Sequence, residues 1–372
     1  MTQFPIRSFF CFLSFFGLWV CLGPACHCAD TPRRLPVSAG WSFPMIVSPN
    51  GRYLATTSNA RTDAIELYDF KTSKTRVLTS VGVKQFYDYR MAGYGMAFSP
   101  DSETLAHGGS ELGSYAAINT WDTATGHHLR TFAYTTVGQN VLYTHDGKSI
   151  VAASNDDAGK IKGSPNNTVH LWSAATGQSL QTLRGPGGMI ISLALSPDGR
   201  RVAIGTITPA VLQVRDIRSG RALWTQTVAR PEAEIASLAF SPDGQILARG
   251  GRYSTIYLHD AHTGVLRGTL FAPVPASLRN SAGADAARVI AYSPDGRFLA
   301  GAGPDQVVVW SARTRKLVFW PASAGQPFVF LPHSSLLAAT ELDVPMPHPA
   351  GAQSYSMRPP RRAGNVSLWS LK

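Results

Sequence analysis

Short segments in which a small residue stands between two large apolar ones recur in four places, at residues 96–98, 193–195, 238–240 and 290–292. In Met96-Ala97-Phe98 the two large residues lie on one face of a strand, because successive side chains of a strand point to opposite faces. A short turn follows, and an aliphatic residue stands six positions after the first turn residue. The aliphatic residues are Leu54, Leu105, Ile150, Val202, Leu247, Leu299 and Leu337. The pattern predicts antiparallel strand pairs, each joined by a hairpin.

The hairpin turn reads Ser-Pro-Asp-Gly or a variant of that sequence in every copy. Proline presets its own φ and glycine accepts a positive φ, so this sequence suits a tight reversal between strands. The copies occupy residues 48–51, 99–102, 144–147, 196–199, 241–244, 293–296 and 331–334. A repeat of about 40 to 50 residues indicates a propeller or a repeat array rather than an ordinary single-core domain.

Each copy also carries an aromatic or polar residue followed by Asp or Ser at the end of a predicted third strand. The residues in this column are Tyr68, Trp121, Trp172, Arg215, His259, Trp310 and Trp369. A short turn containing glycine follows in most copies, and then a fourth strand such as residues 179–183. Each repeat therefore supplies four strands.

These motifs resemble the WD-repeat β-propeller family over about residues 35–372. The resemblance implies an all-β fold, a seven-bladed β-propeller of four-stranded antiparallel blades that acts as a rigid platform for protein binding. The chain lacks the Gly-His pair that the family carries ahead of each first strand, so the family's buried Asp-His-Ser/Thr-Trp network is not assigned to residues here. His259, which replaces a tryptophan, is interpreted as a packing variant rather than a ligand.

The two ends of the domain complement each other. Residues 365–369 read as a third strand with no fourth strand after it, whereas residues 34–38 precede the first complete hairpin. Pairing these two segments would complete the seventh blade and remove an exposed sheet edge. We therefore predict that the N-terminal strand closes the ring, within a single domain over residues 30–372.

Residues 1–29 differ from the rest of the chain. Arg7 precedes a strongly apolar run that ends near Leu22, and small residues follow, which is the pattern of a cleaved secretory signal peptide. An uncleaved anchor and a lipid-modified Cys26 are the alternatives. All four cysteines lie in this leader, so the domain forms no disulfide. The sequence predicts a secreted, periplasmic or otherwise extracytoplasmic protein.

The charge balance bears on the partners. The chain carries 34 basic and 23 acidic residues, a formal net charge of +11, which favours acidic surfaces or polymers. Charged residues make up only 15% of the chain, and no dense basic run exists beyond Arg361-Arg362, so the sequence does not favour nucleic acid. A protein partner is predicted, an anionic polymer is the alternative, and no membrane span is expected once the leader is removed.

Segment lengths vary only between the second and third strands of a repeat and between one repeat and the next. In a propeller these connections emerge on one face, and loops on a rigid scaffold often carry function. Residues 84–90 have the composition of an interface anchor, although loop growth without function is the alternative. The predicted partner-binding residues are Phe86, Tyr87, Tyr89, Arg90, Lys162, Arg279, Arg361 and Arg362. For an anionic polysaccharide, Lys160, Lys162, Arg279, Arg358, Arg361 and Arg362 would have to cluster.

Catalytic motifs are scarce. The sequence contains no His-Glu-x-x-His, no Gly-x-Ser-x-Gly and no phosphate-binding glycine loop. We predict no catalytic residue, no metal site and no cofactor. The alternative is an enzyme or small-molecule binder at the channel mouth, which would need polar residues from several blades to converge there. The residues that could reach that face include Asp63, His107, Glu111, Asp157 and His170.

Overall fold

The computed structural model describes residues 33–38, 45–57, 64–79, 95–110, 116–134, 140–154, 167–229, 235–251, 255–272, 289–303, 306–319, 324–341 and 365–371. Within these ranges the chain forms seven four-stranded antiparallel sheets. In each sheet the strands follow one another in order, and we call them a, b, c and d. Strands a of neighbouring blades contact each other and surround the centre of the ring. The predicted seven-bladed all-β propeller is confirmed.

The strand bounds follow the predicted repeat. Blades 1 to 3 follow strand β1 (Arg33–Ser38) and contain β2 (Met45–Val47), β3 (Tyr53–Thr57), β4 (Ala64–Asp69) and β5 (Lys74–Thr79); β6 (Met96–Phe98), β7 (Thr104–Ser110), β8 (Ala116–Asp122) and β9 (His128–Tyr134); and β10 (Val141–Tyr143), β11 (Ser149–Ser154), β12 (Thr168–Ser173) and β13 (Ser179–Arg184). Blades 4 and 5 contain β14 (Met189–Leu195), β15 (Arg201–Ile207), β16 (Val211–Asp216) and β17 (Ala222–Thr227); and β18 (Leu238–Phe240), β19 (Ile246–Gly250), β20 (Ile256–Asp260) and β21 (Leu266–Leu270). Blades 6 and 7 contain β22 (Val289–Tyr292), β23 (Phe298–Gly303), β24 (Gln306–Ser311) and β25 (Leu317–Phe319); and β26 (Ala324–Phe330), β27 (Leu336–Glu341) and β28 (Asn365–Ser370), completed by β1.

The N-terminal strand closes the ring as predicted. β1 pairs antiparallel with β28, with Arg33 opposite Leu368 and Arg34 opposite Ser367. Leu35 of β1 is buried together with Met45 of blade 1 in one apolar cluster. The first and last parts of the domain therefore share both a strand ladder and a core.

The core lies between adjacent blades. The aliphatic column predicted in strand b is fully buried, with an exposed fraction of at most 1% at all seven positions. Between blades 1 and 2, for example, Tyr53 and Leu67 pack with Met96, Phe98 and Trp121. Because each blade covers the next one, the ring buries both faces of strands b and much of strands c, and this explains why these strands are largely apolar on both sides. The outer strands d, such as Ala222–Thr227, are largely exposed.

The Ser-Pro-Asp-Gly turn recurs because its side chains fold the turn back on itself. In blade 5 the Ser241 hydroxyl donates to Oδ1 of Asp243 at 2.5 Å and accepts from the amide of Ile246 at 2.9 Å. Oδ1 of Asp243 also accepts from the amide of Gln245 at 3.0 Å. Gly244 has a φ of 69°, which favours glycine. Serine, aspartate and glycine each have a separate task in the turn.

Candidate functional site

Variable-length connections attach at one face of the ring. Every described strand b ends, and every strand c begins, at the end of the blade where strand d ends and the next strand a begins, because all neighbouring strands are antiparallel. We call this end the loop face, and the end that carries the a–b and c–d turns the turn face. Connections on the loop face range from two residues, 304–305, to 23 residues, 342–364. The predicted separation into a constant and a variable face agrees with the strand order.

The predicted partner-binding residues Phe86, Tyr87, Tyr89, Arg90, Lys162, Arg279, Arg361 and Arg362 lie outside the described residues. The described strands establish only where their segments join the ring. The segment with Phe86 joins β5 to β6, and the segment with Lys162 joins β11 to β12. Arg279 lies between β21 and β22, and Arg361 and Arg362 lie between β27 and β28. These segments therefore attach at blades 1–2, 3, 5–6 and 7.

Blade 4 has short, described connections on the loop face. The Thr206 hydroxyl donates to the carbonyl of Pro209 at 2.8 Å and accepts from the amide of Val211 at 3.1 Å, which ties β15 to β16. A methyl group on Gly188 would lie 2.5 Å from the carbonyl oxygen of Ile207, so the segment that enters β14 packs directly on that end of β15. At blade 4, therefore, short and hydrogen-bonded connections pack against the strand ends on the loop face.

The two histidines considered for an enzyme lie on strands of blades 2 and 3. His107 of β7 is buried, and burial lowers its pKa from 6.5 to about 4. Nε2 of His170 lies 2.7 Å from the hydroxyl of Thr168, and its Nδ1 lies 3.0 Å from that of Thr182. Burial also lowers the pKa of His170. His107 is therefore shut off from solvent, whereas His170 is partly exposed with both ring nitrogens close to threonine hydroxyls. Asp63, Glu111 and Asp157 lie outside the described residues.

His259 is a packing variant, in agreement with the interpretation from sequence. Its ring is buried, with Nδ1 donating to the carbonyl of Gly264 at 3.0 Å and Nε2 accepting from Nε of Arg249 at 3.3 Å. Burial and the nearby guanidinium lower the pKa of His259. Arg249 is itself buried with its guanidinium 3.8 Å from the ring centre of Tyr257. Sequence reasoning missed Arg249, because the equivalent positions of strand b hold residues as different as Thr56, His107 and Ile204.

A repeated contact near the turn face fastens each of blades 1 to 4 to the blade that follows it. The side chain at the third position of strand d crosses to a carbonyl in the c–d turn of the following blade. Nη1 of Arg76 donates to Thr123 at 3.1 Å, and Nε1 of Trp224 donates to Ala261 at 3.1 Å. Arg130 and Gln181 make the same contact with Thr176 and Arg218, respectively. These hydrogen bonds tie together blades 1 to 5.

Between blades 5 and 6 the contact is reversed. Strand d of blade 5 has Gly268 at the contact position, and the c–d turn of blade 6 has Arg315 where the turns of blades 2 to 5 have glycine. Arg315 reaches back across Gly268, and its Nη1 donates to the carbonyl of Arg267 at 2.9 Å. A Cβ atom on Gly268 would lie 2.4 Å from that nitrogen. At this joint the long side chain comes from the turn and the glycine lies on strand d, and a hydrogen bond still connects the two blades.

Neither a metal centre nor a membrane helix is found in the described part of the chain. No group of three or more His, Cys, Asp or Glu side chains there has a geometry that could hold a metal ion. Among the same residues, no helix is both long enough and apolar enough to cross a bilayer. What these residues offer is a rigid ring with a constant face and a variable face.

Comparisons with known proteins agree with this architecture. Residues 99–280, just under half of the chain, match a family model described as the outer membrane protein assembly factor BamB. An uncharacterized WD repeat-containing protein of Synechocystis sp. is 28% identical over 194 residues, which cover 43% of this chain and 52% of that protein. The chain thus spans about half the length of this curated relative.

A solved structure extends the likeness to almost the whole ring. The Cps50 (Swd1) β-propeller domain of Myceliophteria thermophila matches 90% of this chain and 99% of its own length, with a TM-score of 0.65 and 15% identity. At that identity the match concerns the fold alone. Together with the seven observed blades and their repeated turns, these likenesses identify the chain as a WD-repeat-like seven-bladed β-propeller.

Proposed function

We propose that this protein is a non-catalytic, extracytoplasmic platform that binds a protein partner through its loop face. The proposal depends mainly on one observation: all connections that vary in length attach to the same end of a closed ring. The opposite end repeats one hairpin with nearly the same internal hydrogen bonds in six blades. Variation confined to one face is expected when that face is adapted to a particular partner.

The ring suits this role because it is rigid before binding. Strand β1 closes the last blade, and side chains such as Arg76 and Trp224 fasten neighbouring blades. A partner that binds to a rigid surface does not have to order it first, so less of the interaction energy is lost to conformational entropy.

Within the loop face, the segment that joins β5 to β6 is the first candidate for contact. It contains Phe86, Tyr87, Tyr89 and Arg90. Tyrosine and arginine are among the residue types that dominate binding energy when a partner buries them. The segment also bridges two blades, so a partner seated on it would lie across an inter-blade boundary.

The proposed location follows from the leader and the composition of the domain. Residues 1–29 have the order of charge, apolar run and small residues that signal peptides show, and all four cysteines lie there. The family model that matches residues 99–280 is described as an outer membrane protein assembly factor, which supports an extracytoplasmic role. Export with removal of the leader is part of the proposal.

A cross-linking and pull-down experiment on the exported, full-length chain tests the proposal. The double variant Tyr87→Ala/Tyr89→Ala should weaken binding of the captured partner by at least about 2 kcal/mol, with an unchanged melting temperature. Lys71→Ala/Lys74→Ala, two exposed positions on the turn face of blade 1, is the matched control and should bind normally. If the control variant loses binding and the tyrosine variant does not, the partner binds to the turn face and the proposed location is wrong. A mature protein that begins at Met1 would contradict cleaved export.

A further inference from the structure

The a–b hairpins form a ring of turns on the turn face, which we call the turn ring. Neighbouring turns touch: a methyl group on Gly147 would lie 3.4 Å from Cδ of Pro100, and one on Gly244 would lie 3.7 Å from Cδ of Pro197. Gly296 and Gly199 approach the preceding turn in the same way, and the amide of Asn50 donates to the Ser102 hydroxyl at 3.1 Å. From blade 1 to blade 6, each turn therefore covers part of its neighbour.

The turn of blade 7 interrupts the turn ring. Leu331 replaces the serine whose hydroxyl holds the turn in other blades, and His333 replaces the aspartate. The left-handed residue is His333, with a φ of 56°, one position earlier than Gly296 in blade 6, with a φ of 72°. An open cavity of about 550 Å³ lies between this turn and that of blade 6, and a hydrogen bond from Arg297 to Ser335 bridges it. Its lining residues are Pro294, Asp295, Arg297, His333, Ser334 and Ser335, and we call it the notch.

The charged groups of the notch neutralise each other. Nε of Arg297 donates to Oδ2 of Asp295 at 2.5 Å, and Nη2 of Arg297 donates to the hydroxyl of Ser335 at 2.7 Å. Hydrogen-bonding capacity is left over: Nη1 of Arg297 and the exposed ring of His333 have no hydrogen bond to another described residue. The Ser335 hydroxyl accepts from Arg297, so its own proton can be donated. The notch thus offers donors and acceptors without net charge.

We infer that the notch binds a neutral sugar unit. An anion would have to compete with Asp295 for Arg297, and a cation would have to compete with Arg297 for Asp295. A hydroxyl-rich ligand can instead accept from Arg297 and Ser335 and donate to Asp295 at the same time. The ring of Pro294 supplies an apolar wall for the C–H face of a sugar. The volume falls within the range of about 300–1,000 Å³ typical of small-ligand sites and leaves room for one or two sugar rings.

This site is independent of the proposed loop-face interface, because it lies at the opposite end of the ring. The mature full-length protein is tested with cellobiose, lactose and maltose, and with glucuronic acid and glucosamine as charged probes. Saturation-transfer NMR should detect at least one neutral disaccharide, with shifts of the His333 ring resonances. The Tyr87→Ala/Tyr89→Ala variant should bind the same sugar normally. Absence of saturation transfer from every neutral disaccharide at millimolar concentration would overturn the inference.

Charge variants make the test sharper. Asp295→Asn keeps an oxygen that can accept from Ser293 and from the amide of Arg297, but it removes the carboxylate that neutralises Arg297. We expect at least about a tenfold loss of neutral-sugar affinity and a gain for glucuronic acid. Asp243→Asn makes the same change in blade 5, whose turn is covered by that of blade 6, and should have no effect. A wild-type preference for glucuronic acid, or unchanged affinity in both Asp295→Asn and Ser335→Ala, would contradict a neutral-sugar site.

Discussion

On the turn face nearly the same hairpin recurs in six blades, whereas on the loop face the connections range from residues 304–305 to residues 342–364. The difference has a physical cause. In blades 1 to 6 a serine or threonine hydroxyl and an aspartate or asparagine side chain hold the turn, and most of these turns touch the next one, so few other sequences fit. A connection on the loop face must only join two strand ends, and lengthening it costs little because loop-closure entropy grows slowly with length. Stability therefore belongs to the strands and turns, and variation to the loop face.

The largest expected effect comes from opening the ring. Deleting residues 30–40 removes β1, which exposes the edge of β28 and uncovers the cluster around Leu35. We expect aggregation or a large fall in melting temperature, measured by calorimetry and light scattering. A deletion of similar length on the loop face, residues 350–360, should change the melting temperature little. Equal effects of the two deletions would remove the distinction between scaffold and loop.

An intermediate effect is expected from acid, because a histidine is buried inside blade 2. The pKa of His107 is about 4 in the folded chain instead of the ordinary 6.5. Between pH 6.5 and pH 4, His107 is protonated in the unfolded chain but neutral in the folded one. The free energy of unfolding is therefore highest above about pH 6.5 and falls as the pH drops toward 4. The loss should reach about 3 kcal/mol at pH 4, from roughly 1.4 kcal/mol for each pH unit.

Urea denaturation at several pH values measures this loss. His107→Gln should flatten the decline by about this amount, while the remaining slope comes from His170 and His259, whose pKa values are also lowered. The exposed His127 provides the control, and His127→Gln should leave the profile unchanged. A wild-type profile that is level between pH 6.5 and 4 would show that His107 takes up its proton without loss of stability.

The smallest expected effect separates turn strain from inter-blade packing. Gly264 and Gly51 both have a positive φ, 77° and 71°. A Cβ atom on Gly264 would lie 2.8 Å from Cε3 of Trp224, whereas one on Gly51 would meet nothing within 4 Å. Gly51→Ala should therefore cost only the left-handed backbone term, about 1–2 kcal/mol, and Gly264→Ala should cost more. Chemical denaturation at constant m-value gives both numbers. Equal losses would mean that the contact with Trp224 adds nothing to the joint between blades.

Much of the scaffold could be predicted because the fold repeats a local pattern. The strand pairs, the hairpins and the buried aliphatic column depend on residues close together in the chain, and seven copies of the pattern reinforce each other. Closure by β1 was also predictable, because counting strands left the last blade one strand short and the N-terminal end with one extra strand. The segment that contains Phe86 and Arg90 was predicted as a contact site from composition and position, and it stays a prediction.

Sequence by itself determined the number of blades, their strands and the turn that joins strands a and b, because each of these follows from side-chain alternation and turn chemistry within a few residues. Only the tertiary structure decided what happens between blades. The exchange of Gly268 and Arg315, the burial of Arg249 beside His259 and the notch at Arg297 depend on residues that the ring brings together from separate positions in the chain. Such contacts have no fixed spacing in the sequence. A hydrogen bond between two blades can have its donor side chain on either blade, and the repeat pattern does not show which blade supplies it.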